Sequence, residues 1–196
     1  MLRRLCLVLI VMVLALLPAL PHSPLAPQPA QAAITTFTSS SGIGVGRGAG
    51  NPYPPTISVP SFDRSVMHVS MTLIGLSYRN SLVNLGCNWD LLDIMLAGPD
   101  GQRVMLMSDV ARDGNTSDSQ RTLTFDDNAM TGLPTSGSFT SGTYAPTDVE
   151  PGELMPAPAP AGPYAGGLSV FANTDSDGLW SLYIASERAT NGCQGG

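Results

Sequence analysis

From residue 56 onward the chain consists of short runs in which every second position is apolar. Leu92, Ile94 and Leu96 form one such series, with Asp93 and Met95 between them. Since successive side chains of a strand point to opposite faces of a sheet, this alternation predicts strands with one buried face. No segment after residue 32 sustains the 3.6-residue period of an amphipathic helix. Many short strands separated by turns predict an all-β domain, a jelly-roll-type β-sandwich.

Turn residues divide these strands and predict their connections. Residues 98–101, Gly-Pro-Asp-Gly, separate two apolar runs and predict a hairpin. The second run, residues 104–107, is apolar at consecutive positions, so both faces of that strand are hydrophobic. The long run at residues 66–76 loses its alternation near Gly75, where we expect a bulge or a strand end. Residues 151–163 are rich in Pro, Ala and Gly and predict a loop, because proline cannot join a central strand.

The first 32 residues have the pattern of a secretory signal. A basic start at Arg3 and Arg4 precedes an apolar run over residues 5–17, and Ala30-Gln31-Ala32 is a small-x-small cleavage site. The apolar run is shorter than the roughly 20 residues that a spanning helix needs. We therefore expect cleavage near Ala32, a secreted or cell-envelope location, and no transmembrane segment in the mature chain.

The composition after the predicted signal indicates a flexible segment before the domain and argues against nucleic acids as partners. Residues 33–55 are rich in Gly, Ser and Pro and contain too little apolar surface to offset ordering entropy. The sequence thus predicts a flexible lead-in before a domain over residues 56–196. The chain contains no lysine and has a formal net charge of −6. Because neutralising phosphates requires clustered cations, sequence-independent nucleic-acid binding is excluded.

Candidate catalytic and metal-binding residues are mostly aspartates. After residue 32 the only histidine is His68, and no Gly-x-Ser-x-Gly element marks a nucleophile. Carboxylates at loop ends can provide oxygen ligands for calcium, and the candidates are Asp90, Asp93, Asp126 and Asp127. Aspartate is also the ordinary turn residue, so both interpretations stay open. Asp126 and Asp127 are in addition the candidate carboxylate pair of a hydrolase, although adjacent side chains diverge on an extended strand.

The cysteines allow one disulfide bond. Cys6 belongs to the predicted signal, so Cys87 and Cys193 remain in the mature chain. In an exported protein two cysteines can form a single disulfide, and two free thiols are the alternative.

Five motifs occur in a fixed order between residues 51 and 185. They are Asp90-Leu-Leu-Asp93-Ile94-Met-Leu96 with its Gly98-Pro99-Asp100-Gly101 turn, Thr124-Phe125-Asp126-Asp127, Ser141-Gly142-Thr143-Tyr144-x-Pro146, Leu168-Ser-Val-Phe171, and Gly178-Leu-Trp180-Ser-Leu182. Their order resembles the P domain, or Homo B domain, that follows the catalytic domain of kexin- and furin-like subtilisin-type proteases, and the related bacterial P-domain-like proteins. The resemblance implies a non-catalytic jelly-roll sandwich that stabilises or binds another protein, in some relatives with bound calcium.

The chain departs from the family pattern in two places. The family often has consecutive acids before its hairpin strand, whereas Leu91 follows Asp90 here. The family also ends in a Gly-Trp-x-Leu strand that is missing after Gly192, so we expect an open sheet edge that another chain or an N-terminal segment fills. The leading hypothesis is an exported, non-catalytic P-domain-like module stabilised by calcium. The alternatives are an accessory module of a separate subtilisin-like protease and a carboxylate-based hydrolase.

Overall fold

The computed structural model describes residues 34–46, 48–62, 64–80, 88–113, 120–187 and 193–195. Within these residues the regular secondary structure is almost entirely strand, with two single-turn 3₁₀ helices at Trp89–Leu91 and Leu168–Phe171. The strands are β1 (Gly48–Ala49), β2 (Thr56–Val59), β3 (Ser70–Leu76), β4 (Tyr78–Asn80), β5 (Leu92–Ala97), β6 (Arg103–Ser108), β7 (Arg121–Asp126), β8 (Gly142–Tyr144), β9 (Thr147–Asp148), β10 (Gly178–Ser186) and β11 (Cys193–Gly195). The predicted all-β class is confirmed. The predicted signal peptide lies outside the described residues.

The larger sheet is built around the predicted hairpin. Its order is β1-β10-β5-β6-β9, and β2 also pairs with β10. Strands β5 and β6 are antiparallel, with Leu96 opposite Val104. The Gly98 N–H donates to the Gln102 carbonyl at 2.8 Å and closes the turn. Gly101 has a φ of +87°, a conformation that glycine adopts without a steric penalty. The hairpin prediction is therefore confirmed.

The smaller sheet has three strands in the order β3-β7-β8, while β4 and β11 form a separate pair. In β3 the register shifts between Leu73 and Leu76, and Gly75 between them has a φ of +77°. The predicted bulge is thus confirmed. On the exposed face of this sheet the hydroxyls of Thr72 and Thr124 lie 2.9 Å apart, a polar cross-strand pair.

One hydrophobic core lies between the inner faces of these two sheets. The larger sheet contributes Leu92, Ile94 and Leu96 from β5, and the smaller sheet contributes Leu123 and Phe125 from β7. All five are at most 6% exposed. Removing such apolar surface from water stabilises the fold by about 25 cal/mol per Å². The alternation in the sequence therefore identified the inner face of both sheets.

The outer face of the larger sheet is also buried. A second apolar cluster covers it and consists of Met95, Ala97, Met105, Met155, Tyr183 and Ala185. Residues 149–165, which we call the cap segment, supply Met155 and lie against this face. The Tyr53 hydroxyl donates to the Pro156 carbonyl at 2.9 Å and attaches the cap segment. Burial on two sides explains why residues 104–107 are apolar at consecutive positions.

Part of the predicted flexible lead-in belongs to the larger sheet. Strand β1 pairs with β10, with Gly48 opposite Ser186, and Val45 is 3% exposed in the core. Composition did not reveal this, because pairing with β10 satisfies backbone groups of glycine-rich chain without large side chains. Strands β1 and β2 both lie along β10, so N-terminal segments occupy that edge of the sheet.

Candidate functional site

Several carboxylates meet where β5, β6 and β10 approach the cap segment. Asp93 lies on the outer face of β5, Ser108 ends β6, and Glu187 directly follows β10. The cap segment adds Glu153, and Asp109 follows Ser108. We call Asp93, Asp109, Glu153 and Glu187 the acidic cluster. Residues distant in sequence come together here because neighbouring strands of one sheet end at the same edge.

The Ser108 hydroxyl lies at the centre of the acidic cluster. Its fully buried Oγ is 3.0 Å from Asp93 Oδ1, 3.0 Å from Glu153 Oε2 and 3.3 Å from Asp109 Oδ2. One oxygen each from Asp93, Glu153 and Glu187 lies within 4.8 Å of the others. A hydroxyl has a single proton and can donate to one acceptor at a time. The remaining carboxylate oxygens therefore require further protons or a cation between them.

Burial and mutual repulsion raise the pKa values in the acidic cluster. Asp93 is 6% exposed, and its burial, followed by the charge of Glu153, raises its pKa to about 8. A hydrogen bond with Glu153, followed by burial, raises the pKa of Glu187 to about 8. Burial and the charges of Glu153 and Glu150 also raise the pKa of Asp109. Near neutral pH the cluster thus retains protons that ordinary carboxyl groups would release.

Arg112, whose charge acts on Asp109, forms its ion pairs with carboxylates outside the acidic cluster. Arg112 Nη2 is 2.7 Å from Glu150 Oε1, and Arg112 Nε is 3.7 Å from Asp90 Oδ2. The ion pairs of the described residues do not include Asp93, Glu153 or Glu187. The negative charge of the acidic cluster is therefore not neutralised by a direct ion pair with this part of the chain.

Of the four predicted calcium ligands, the structure places one in the acidic cluster. Asp93 is that residue. Asp90 lies in the 3₁₀ helix before β5, next to Arg112. Among the described residues, Asp93, Glu153 and Glu187 form the one group of three metal-ligating side chains close enough to share an ion. The structure therefore does not bring the predicted set of four together.

Asp126 and Asp127 have separate partners on the smaller sheet side of the molecule. Asp126 Oδ2 lies 3.2 Å from His68 Nε2 at the surface. Asp127 accepts the backbone N–H groups of Leu168 at 2.8 Å and Ser169 at 2.6 Å, and so caps the second 3₁₀ helix. Their side chains diverge, as expected for adjacent residues at a strand end. The carboxylate-pair hydrolase stays a prediction without a shared site for its two residues.

Sequence analysis missed Ser108, Glu153 and Glu187. A signal for Asp93 was present, since it is the charged residue within an otherwise apolar strand that the structure buries on both faces. Glu153 and Glu187 had no comparable signal, because one lies in a proline-rich loop and the other follows a strand end.

The structure describes one of the two cysteines of the predicted disulfide. Cys87 lies outside the described residues. Cys193 begins β11, where its backbone pairs with Asn80 of β4. The Cys87–Cys193 bond therefore stays a prediction.

Comparison of the chain with protein-family models, curated proteins and solved structures finds no significant match. The resemblance to the P domain accordingly stays a prediction that depends on the five motifs. Within the described part of the chain, no helix combines the length and the apolar character needed to cross a bilayer.

Proposed function

We propose that this chain is an exported, non-catalytic sandwich of the jelly-roll type that serves as a binding or stabilising module and is itself stabilised by calcium. The supporting observation is the acidic cluster, in which Asp93, Glu153 and Glu187 direct oxygens to within 4.8 Å of one another. The five motifs that resemble the P domain support the module class.

The donor set suits calcium. Calcium binds carboxylate and hydroxyl oxygens at about 2.3–2.6 Å, so oxygens on opposite sides of one ion are about 5 Å apart. The spacing of the three carboxylates is compatible with that limit. Asp93, Glu153 and Glu187 would hold the ion, with Ser108 and Asp109 beside them. A bound cation would supply the positive charge that the described ion pairs do not provide.

Calcium at this position would join three separate parts of the chain. Asp93 comes from β5, Glu187 from the end of β10, and Glu153 from the cap segment. An ion that binds all three favours the folded state, because the unfolded chain cannot hold them together. At a free calcium concentration 100 times the dissociation constant, the expected stabilisation is about 2.7 kcal/mol.

Thermal unfolding in calcium and in chelator tests the proposal. We expect the wild-type midpoint to rise with calcium and the Glu153→Gln midpoint to respond much less. Asp113→Asn is the matched control, since Asp113 is an exposed carboxylate with a φ of +65° that asparagine tolerates. Identical midpoints in calcium and chelator for the wild type would contradict calcium binding.

A separate subtilisin-like protease is one candidate partner of the proposed binding module. This candidate derives from the motif resemblance, and the test is capture of proteins from the culture medium by the immobilised chain. Recovery of a subtilisin-like protease would support an accessory role. Recovery of other extracellular proteins without a protease would favour the general binding module.

A further inference from the structure

A positive charge is buried between the sheets without a carboxylate partner. Arg121, at the start of β7, is 8% exposed. Its Cζ lies 4.6 Å from the ring centroid of Phe139 and 5.1 Å from that of Trp89. The ion pairs among described residues do not include Arg121. We call Arg121, Trp89 and Phe139 the arginine box.

Two hydrogen-bond donors in the arginine box have no acceptor. Arg121 Nη1 and Trp89 Nε1 are both buried, and neither has a hydrogen-bond partner among the residues that the structure describes. Trp89 as a whole is fully buried. The other tryptophan of the chain differs, because Trp180 Nε1 donates to the Ser176 carbonyl at 2.9 Å. Trp89 therefore differs from Trp180 in having a buried N–H without an acceptor in the described part of the chain.

The aromatic rings replace only part of the hydration that the Arg121 guanidinium loses on burial. A cation–π contact is weaker than a hydrogen bond to an anion, and leaving a buried donor without an acceptor costs more when the group is charged. Burial lowers the pKa of Arg121, which indicates that the surroundings do not replace the lost hydration. Two buried donors of the arginine box, one of them charged, both lack an acceptor with negative charge among the described residues.

We propose that the arginine box binds a small monoanion, a carboxylate or a halide, through Arg121 Nη1 and Trp89 Nε1. A planar carboxylate offers two acceptor oxygens to two donors, which matches guanidinium recognition. The rings of Trp89 and Phe139 exclude water from the guanidinium and so strengthen its attraction to an anion. A buried water molecule that accepts from both donors is the competing explanation, and the experiment separates the two.

The two indole N–H groups provide a test with an internal reference. The full chain, labelled with ¹⁵N, has two tryptophans and so two indole cross-peaks. A Trp180→Phe variant assigns them. Titration with sodium acetate and, separately, sodium chloride is expected to shift the Trp89 cross-peak to saturation in the millimolar range. The Trp180 cross-peak should stay in place, since its N–H already has an acceptor.

The outcomes decide between anion, water and no ligand. Saturation by acetate alone assigns a carboxylate, by chloride alone a halide, and by both a general monoanion site. A Trp89 indole that shows cross-relaxation with water and no saturable anion response overturns the proposal. Equal, unsaturated drifts of both indole cross-peaks are ionic-strength effects and also overturn it.

Variants of Arg121 complete the test. Arg121→Met keeps the apolar stem and removes the charge, so the anion response of Trp89 should disappear. If this variant does not fold by circular dichroism, Arg121→Lys retains the charge but not the planar fork, and we expect roughly tenfold weaker binding. Arg64→Met, at an exposed arginine, is the control and should leave the affinity unchanged. Wild-type affinity in both Arg121 variants would contradict the proposal.

Discussion

The acidic cluster and the arginine box are charged sites of opposite sign. Each has a buried charged group, Asp93 in the acidic cluster and Arg121 in the arginine box, although Glu187 of the acidic cluster is exposed. In the acidic cluster, Asp93, Glu153 and Glu187 lack a direct cationic partner among the described residues. In the arginine box, Arg121 forms no ion pair with a carboxylate among the described residues. The fold thus buries Asp93 and Arg121 without pairing them with each other.

The two sites compensate buried charge by different chemistry. A carboxyl group can take up a proton at accessible pH, and the raised pKa of Asp93 shows that burial favours this. A guanidinium stays charged, so Arg121 depends on aromatic faces and on an acceptor. We therefore expect the acidic cluster to respond to pH and to cations, and the arginine box to respond to anions.

Removing the indole ring of Trp89 from the arginine box should have the largest effect on the free energy of unfolding. Trp89 is fully buried and contacts Phe139 at 5.1 Å between ring centroids. Trp89→Ala should therefore lower the free energy of unfolding by roughly 3–5 kcal/mol, measured by urea denaturation. Leu179→Ala is the control, since Leu179 is 53% exposed and its loss should cost less than about 0.5 kcal/mol. A Trp89→Ala cost as small as the control would show that the box contributes little to stability.

Titrating the acidic cluster should have the next largest effect. The folded-state pKa of Asp93 is about 8, above its unfolded value of 3.8, so the folded state binds more protons between these values. In chelator, the contribution of Asp93 and Glu187 to the free energy of unfolding should be fully present below about pH 4. This contribution should be lost as the pH rises through about 8. The measurement is the free energy of unfolding by urea at a series of pH values.

Asp93→Asn tests whether this residue is the cause. The substitution replaces a titrating carboxyl with a neutral amide of the same shape, so the slope between pH 4 and 8 should become shallower. At pH 9 the variant should be more stable than the wild type, on the order of 2 kcal/mol. Asp113→Asn should keep the wild-type slope. An unchanged slope in Asp93→Asn would place the titration elsewhere, and Arg121 variants should not alter it either.

Loosening the cap segment should have the smallest effect of the three. Tyr53→Phe removes the hydroxyl that donates to Pro156 and keeps the ring against Tyr183. We expect a loss of about 1 kcal/mol in thermal or urea unfolding, the usual contribution of one hydrogen bond. Tyr144→Phe is the matched control, because its hydroxyl bonds the carbonyl of exposed Thr140. Equal losses in the two variants would show that the Tyr53 bond does not hold the cap segment specifically.

Short-range patterns explain which predictions were confirmed. The alternation of Leu92, Ile94 and Leu96 identified a core face because a strand repeats every second residue. The turn at residues 98–101 and the bulge at Gly75 depend on local backbone preferences, which a few residues encode. The lead-in differed from expectation because β1 is stabilised by β10, more than 130 residues away in sequence.

Short-range sequence patterns predicted less of the candidate sites than of the fold. Asp93 was among the predicted ligands, but Glu153 and Glu187 reach it only through the cap segment and the end of β10. The candidates Asp90, Asp93, Asp126 and Asp127 were chosen as carboxylates at loop ends, and in the structure they have different partners. Nothing about Arg121 in the sequence indicated that its guanidinium would pack against two aromatic rings.

The sequence by itself determined that this protein is all-β, where its central hairpin turns and which strand faces are apolar. These properties follow from a two-residue repeat and from turn residues, both of which act over a few positions. The tertiary structure alone decided that the larger sheet is buried on both faces, that three carboxylates surround the Ser108 hydroxyl, and that Arg121 packs against two aromatic rings. Each of these depends on contacts between distant segments, whose energy arises only when the sheets and the cap segment pack together.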